Sequence, residues 1–525
     1  ERVAAFFEME DKGEIQVKGK QIRIHTYAVM GHSGEIGRTR GLKANASPLI
    51  GRDAELQALQ MQLQSLLQAQ EGEPPLRGSG KIVTIIGDSG LGKSRFVREI
   101  KTWLKEQPGS EGLLHIEGQA LSFSEYTSYW LAAQVIRGAL QLPPDASEND
   151  VLFELWERGE ALMGRENARE AVPFLAHLLG IELEGEWAEW VKDLEPQVRQ
   201  KQAFWAAREF FTRIAQQRPT LILLDDLHWA DEASLALLEN LLSVTDQAPL
   251  LFCLIFRPQR EKGCWHLRDR ADSNFHHRYT EIWLRPISEE QSRQLLTNLL
   301  PGAEFTPRTQ QEILDKSAGN PFYLEEVVRS LIESGAVAPV ETRDEGFTSI
   351  ADFARSLKRR DARLEERKPK KWQVTKKIEQ IQVPDTLQGA ITARIDRLTE
   401  DTRQALQMAA VIGRRFQAEI LGSIVEAEAE LGGWLAQLER SDLIKRTEQT
   451  SRDETYMFPD SLVQEVAYAN LLMQRRQEFH RKVGEALEKT LGDRIEQECA
   501  LLAHHFSQSD DKIRASKYLE LAGQK

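Results

Sequence analysis

The stretch that most constrains the fold is "IVTIIGDSGLGKSR", residues 82–95. An apolar, β-branched run enters a glycine-rich turn, and a helical pattern, "SRFVREIKTWL", leaves it. The spacing Gly87, Gly92, Lys93, Ser94 matches G-x-x-x-x-G-K-[ST], the form of a phosphate-binding loop. Glycines at 87, 90 and 92 free the backbone to turn its N–H groups onto phosphate oxygens, with Asp88, Ser89 and Leu91 filling the loop. Lys93 supplies a point charge for the β/γ-phosphates, the Ser94 hydroxyl is placed for Mg²⁺, and Arg95 opens the following helix. That helix adds its N-terminal dipole to the same anion. Strand, loop and helix in this order require an α/β sheet with the loop at a strand's C-terminal edge.

A second signal sharpens the first. "LILLDDLHWAD" (221–231) is a buried strand ending in two carboxylates. Asp225 is expected to hold Mg²⁺ through water, and Asp226 to orient or polarise the attacking water. "LLFCLIFRP" (250–258) ends a third strand at Arg257, which from that edge can reach the γ-phosphate and distinguish ATP from ADP. Together with the weaker strand candidate at 113–121 and helical patterns between, these runs predict a parallel sheet with crossover helices over 48–258. Residues 122–215 read as mostly helical, with Trp130, Trp156, Trp187, Trp190 and Trp205 as core or helix-packing side chains. After Arg257 the strand–helix alternation stops, and 259–339 reads as a small helical unit. Residues 340–378 are charged and irregular, and 379–475 show helices followed by a hairpin-like "LIKRTEQTSRDETYMF", the order of a winged helix. The tail, 476–525, reads as the start of helical repeats. Before the loop, 13–31 alternate as a β-hairpin around a Gly-Lys turn within a segment 1–35, and 36–47 form a polar linker.

Composition narrows the remaining classes. The 525 residues carry a net charge of −13, so no whole-chain attraction to nucleic acid is expected. The basic cluster in 358–377 is interrupted by acids and reads as a solvated insertion. Three cysteines (Cys253, Cys264, Cys499) have neither disulfide nor zinc spacing, which fits a reducing compartment. His504 and His505, adjacent on a helix, are expected to point apart and to hold no metal. The longest apolar run is too short for a membrane span, and the first residues lack the features of a signal peptide. A cytoplasmic protein, and a fragment of a longer one since Glu1 replaces an initiator Met, is the expectation.

In order along the chain, "PLIGRDAEL", "GDSGLGKSR", "LLDDLHWAD", "FRP", "AGNPFYLEEVV" and "VPDTLQGAITARIDRL" resemble the STAND branch of P-loop ATPases, and more narrowly the AAA-type module of large bacterial signalling proteins. The resemblance covers about 47–525 and implies an α/β P-loop NTPase followed by an all-α lid, a winged helix and TPR-like repeats. It implies ATP/ADP with Mg²⁺ as ligands, ADP held in the inactive form, slow hydrolysis, and self-association as one route of activation. By the same likeness Gly51 and Arg52 lie at the adenine side and Pro321 at the lid contact. "IQVKGKQIRIHTYAVMG" is similar to the last strands of a class III nucleotidyl cyclase domain, which implies an attached cyclase as the controlled partner; the cyclase's metal-binding aspartates are not in this chain. A LuxR-type transcription regulator and an immune-type oligomerising effector share the same module and stay open as alternatives. At Phe458-Pro459-Asp460 related modules carry a His, so either the ADP-bound form is held differently here or this segment only packs.

Overall fold

In the computed structural model, the described residues are 7–15, 24–32, 48–68, 79–121, 127–143, 146–181, 183–340, 371–375, 386–425, 428–447, 454–492, 495 and 498–524. Strands β1 (Phe7–Ile15) and β2 (Ile24–His32) pair antiparallel, with Ile15 opposite Ile24. The first strand therefore starts well before the stretch read as a hairpin, and the Gly-Lys turn lies outside the described residues.

Five strands build the central sheet: β3 (Lys81–Ile86), β4 (Leu114–Gln119), β5 (Thr220–Asp225), β6 (Leu250–Phe256) and β7 (Tyr279–Trp283). Their order is β4-β5-β6-β3-β7, and every neighbouring pair is parallel. Helices cover both faces, so the central strands are largely apolar, with Thr84 of β3 a buried exception. The period of two still sorts their side chains: Ile82 and Ile86 join one core with Phe252, Leu254 and Phe256, while Val83 and Ile85 join the other with Leu251, Cys253 and Ile255. Phe96 and Ile100 of the helix Lys93–Lys105, and Leu59 and Leu63 of the helix Asp53–Gln68, close the second face.

Strand β7 departs from the sequence expectation that alternation ends at Arg257. It pairs parallel to β3, with Ile86 opposite Trp283, and the helix Gly263–Phe275 sends Cys264, Leu267 and Ala271 into the sheet's first core. The α/β unit thus runs to about residue 284, past the expected boundary at 258. An edge strand buries less, so "YTEIW" carries Thr280 and Glu281 and lacks the apolar run that marks its neighbours.

Between β4 and β5 the chain is helical, as its patterning predicts, and Trp156 and Trp205 pack on the first core. Beyond β7, the helices Glu289–Leu299, Pro307–Ser317 and Pro321–Glu333 surround Leu295, Leu299, Val327, Val328 and Leu331. That core also takes Trp372 from strand β9 (Trp372–Val374), which pairs antiparallel with β8 (Val337–Pro339). The stretch expected to be charged and irregular therefore contains a strand; burying the indole, worth about 4 kcal/mol by area, outweighs its polar flanks.

A last core joins the helices Leu387–Ile395, Glu400–Ile412, Ala418–Ile424, Leu431–Arg440 and Ser461–Ala469 to the helices Met473–Leu491, Cys499–Ser507 and Lys512–Gln524. Its small sheet has the order β10 (Arg415–Gln417), β12 (Thr455–Met457), β11 (Lys445–Arg446). The core is continuous across the boundary expected at 475, with Phe479 and Val483 packed beside Leu421 and Val463. Inside it His504 and His505 do not point apart. Both turn toward His480, whose Nδ1 lies 3.0 Å from His505 Nδ1, because the helix Met473–Leu491 packs along their own. The chain is an α/β P-loop fold followed by a largely helical C-terminal region. No helix among the described residues is long and apolar enough to cross a membrane.

Candidate functional site

The loop after β3 lies at the sheet's C-terminal edge. Gly90 (φ 80°) and Gly92 (φ 90°) hold left-handed conformations that a side chain would strain, and Gly92 caps the helix that begins at Lys93. Lys93 folds back over the loop, donating to Gly87 O (2.7 Å) and Asp88 O (2.9 Å). Burial, and then the neighbouring Arg257 cation, pull its ammonium below the ordinary lysine range against the pull of Asp226, Asp225 and Asp460. Ser94 is exposed at the start of the helix.

Strand β5 delivers the two carboxylates. Asp225 is pushed up to about 6 by burial and then by the adjacent Asp226 charge, with Arg414 and Lys93 opposing. Asp226 sits at φ 56°, a left-handed turn that bends its side chain off the strand axis, and its Oδ2 accepts from Gln119 Nε2 at 3.2 Å. The third aspartate of the motif is structural. Asp231 Oδ1 accepts from Ser234 N and Tyr129 N, both at 2.8 Å, capping one helix and pinning the start of another. His228 between them is buried, with neither ring nitrogen hydrogen-bonded, and burial holds it neutral, down to about 3.

Arg257 and Asp226 are both engaged by the C-terminal region. Arg257 donates to Glu465 Oε1 (2.6 Å) and Oε2 (3.1 Å) and to Ser461 Oγ (2.9 Å). Asp226 Oδ2 is ion-paired with Arg414, a residue that the sequence reading did not single out. Nothing in "GRRF" separates Arg414 from Arg415; only the fold points one inward and leaves the other exposed.

The Phe458-Pro459-Asp460 segment packs. Phe458 is fully buried and its N–H donates to Arg414 O at 2.9 Å, while Asp460 Oδ1 accepts from Leu462 N at 2.8 Å and caps the helix Ser461–Ala469.

The more distant predicted residues converge on the loop from its other side. Arg52, 4% exposed, donates to Leu91 O (3.2 Å), Arg285 O (2.6 Å) and Glu55 Oε1 (3.3 Å), clipping the loop to the exit of β7. Gly51 holds a left-handed φ of 69°, which a side chain would strain, and a Cβ there would also push the end of the Gln291 side chain aside from 2.5 Å. Pro321 opens the helix Pro321–Glu333 against the loop: Asn320 Nδ2 donates to Ser89 O (3.1 Å) and Phe322 N to Gly90 O (3.2 Å). Arg95 and Glu325 face each other at 3.9 Å between this helix and the loop helix. Beside the loop a cavity of about 310 Å³ is lined by Gly87, Asp88, Leu91, Pro258 and the stretch from Trp283 to Pro286.

The sequence of the α/β unit matches a known domain. Residues 48–255 match the AAA ATPase domain family. The ATPase domain match takes in the loop, both acids of β5 and nearly all of β6. An uncharacterized protein of Rhizobium meliloti (strain 1021) is 22% identical over 505 residues, 94% of this chain and 42% of the relative. The chain therefore spans less than half the length of the curated relative it matches. Among solved structures, a STAND protein with a tetratricopeptide repeat sensor from Pyrococcus horikoshii is similar at 11% identity and TM-score 0.45, over 90% of this chain and 50% of that one. The ORC2 protein of Aeropyrum pernix is similar at 12% identity and TM-score 0.33, over 86% of this chain and 99% of that one.

Proposed function

We propose that this chain is a regulatory ATPase of STAND type, in which the bound nucleotide sets the position of the C-terminal helices. The observation that carries the reading is the double engagement of the sheet edge: Arg257 with Glu465 and Ser461, and Asp226 with Arg414. Groups suited to read and hydrolyse a γ-phosphate are thereby tied to the segment that would move.

In this reading Lys93 leaves its two carbonyls for the phosphate chain, where loop N–H groups and the helix dipole already favour an anion. Oxygen donors from Ser94 and Asp225 suit Mg²⁺, which takes one or two protein oxygens plus phosphates and water. Burial and then the adjacent Asp226 charge raise Asp225, and a divalent cation beside the pair would favour its ionised form. Mg²⁺ would neutralise charge on the phosphates. Asp226 orients the attacking water once free of Arg414, and Arg257 reports the terminal phosphate once free of Glu465. Turnover is slow because both groups must be released first. The cavity beside Leu91 and Trp283, with Arg52 behind the loop and Pro321 against it, is where the nucleoside would extend. We assign the helix-and-sheet unit around β10–β12 as a winged helix and the last helices as the first TPR-like repeats. The paired β1 and β2 support an attached cyclase as the controlled partner.

The test is to denature the purified protein and identify released nucleotide by chromatography, for the parent and Lys93→Ala. Near-stoichiometric ADP in the parent, lost in the variant, supports a locked switch. An empty parent with rapid unassisted ATP turnover would overturn it.

A further inference from the structure

The three cations around the loop are unequally committed. Lys93 donates to two carbonyls, and Arg257 donates through both terminal nitrogens to Glu465 and Ser461. Among the described residues, the Arg414 guanidinium meets one hydrogen-bond acceptor, the Asp226 carboxylate. Its Nε–H is buried without a partner, and the side chain is only 11% exposed. A buried guanidinium N–H left unmade is costly, and a fork of five donors meeting one carboxylate has capacity for a second anion.

The backbone is built to deliver this group. Gly413 ends the helix Glu400–Ile412 at φ 142°, a conformation suited to glycine, and leads the chain into β10. Phe458 N then holds Arg414 O from the neighbouring segment, fixing the Cα while the long side chain crosses to the sheet edge. Arg414 also influences Asp225, so it lies within electrostatic reach of both acids, and Asp226 and Asp225 in turn act on Lys93.

We propose that Arg414 is a phosphate-contacting residue supplied in cis by the C-terminal region, and that its pairing with Asp226 is a mask which the terminal phosphate of a nucleoside triphosphate displaces. This rests on the nucleotide reading above. The guanidinium exchanges a carboxylate for a phosphate oxygen, a better match to its planar fork, and Asp226 is exposed to water in the same event. Because Asp226 marks the end of the site where the attacking water belongs, Arg414 discriminates triphosphate from diphosphate. No covalent step is involved.

The experiment is a titration of the full chain with fluorescent ADP and with a fluorescent non-hydrolysable ATP analogue. It compares parent, Arg414→Ala, Arg414→Lys, Arg415→Ala, Asp226→Asn and Lys93→Ala. Arg414→Ala is expected to lose on the order of tenfold or more in affinity for the ATP analogue, while its ADP affinity moves by about twofold or less. Arg414→Lys recovers part of the loss, and Arg415→Ala, altered at an exposed neighbour, behaves as the parent. Asp226→Asn, which releases Arg414, tightens the ATP analogue alone. An unchanged ratio of the two affinities in Arg414→Ala overturns the proposal. If Arg414→Ala loses its cooperative thermal transition, Arg414→Lys and Asp226→Asn decide the question by the same ratio. Should Lys93→Ala bind both nucleotides like the parent, the nucleotide reading itself fails, an outcome separate from failure at Arg414.

Discussion

Arg257 and Glu465 stand 208 residues apart in sequence and form a bidentate pair, with guanidinium-to-carboxylate distances of 2.6 and 3.1 Å. One partner leaves the sheet directly after β6; the other belongs to the helix Ser461–Ala469. The Arg257 side chain is 12% exposed and Glu465 30%, so the pair is only partly screened by water. It joins the ATPase domain to the C-terminal core at the sheet edge, where the proposed reading places the γ-phosphate.

Among the described residues, Glu465→Ala therefore leaves Arg257 held only by Ser461 Oγ, without touching the loop. Release of a fluorescent ADP analogue, followed by stopped flow, should quicken by roughly tenfold, the value of a charge-assisted bidentate contact of about 1.5 kcal/mol. Glu465→Gln keeps one acceptor and should fall between. A release rate equal to the parent's would mean that the pair is not a latch.

In the proposed reading, Lys93 serves binding and Asp226 serves chemistry. Lys93→Ala removes the cation that faces the loop, and ATP binding should fall below detection at micromolar protein. Asp226→Asn keeps the hydrogen-bonding shape but abolishes the carboxylate, so ATP stays bound and single-turnover hydrolysis drops by about 10²-fold or more. Rapid-quench measurement of phosphate release checks both. A Lys93→Ala variant that still turned over would remove the loop from the site.

How far the sequence carried depends on where each residue's information lies. The loop, β5 with its two acids, and β6 ending at Arg257 are legible because local pattern and chemistry coincide in a few consecutive residues. β7 was not, since an edge strand buries one face and keeps Thr280 and Glu281. Arg414 could not be found, because what distinguishes it from Arg415 is a contact with Asp226 188 residues away. His504 and His505 misled in a related way: adjacency on one helix predicts divergence, but a second helix brings His480 against both rings, with centroids 5.6 and 5.2 Å away. Trp372 was hidden by the charged residues around it.

A buried ion pair farther from the loop ties the helix Pro321–Glu333 to the helix Leu387–Ile395. Glu326, in the helix Pro321–Glu333, accepts from Arg394 Nη1 at 2.8 and 3.0 Å, and their side chains are 2% and 6% exposed. Arg329 in the same helix reaches Asp442 at 2.8 Å. Among the described residues, Arg394→Ala leaves Glu326 with only the longer Arg329 Nε contact at 3.5 Å, so it should cost about 3 kcal/mol. The double variant Glu326→Leu/Arg394→Met removes both charges and should cost less than Arg394→Ala alone. Urea denaturation at pH 7.5 measures the difference, and a double variant as unstable as the single would show that packing, not charge, sets the cost.

Acid should unfold the C-terminal core before carboxylate protonation does. Burial holds His480 down to about 3 and His504 to about 4, and pushes His505 well below its ordinary value of 6.5, with the neighbouring histidines adding to the effect on His480 and His505. Tyr468 Oη at 3.0 Å from His480 Nε2 fits a neutral ring. These folded-state values lie below the unfolded one, so as pH falls through 6.5 the unfolded chain takes up protons that the native core refuses. Stability contributed by keeping the rings neutral is complete above about pH 7 and drains away between about pH 6.5 and 4, by up to about 2 kcal/mol per histidine at pH 5. Urea midpoints at pH 7.5 and 5.5 should therefore diverge. His505→Asn, which removes one protonation site while keeping a polar side chain, should narrow the gap by about 1 kcal/mol. An unchanged gap would place the acid sensitivity outside this cluster.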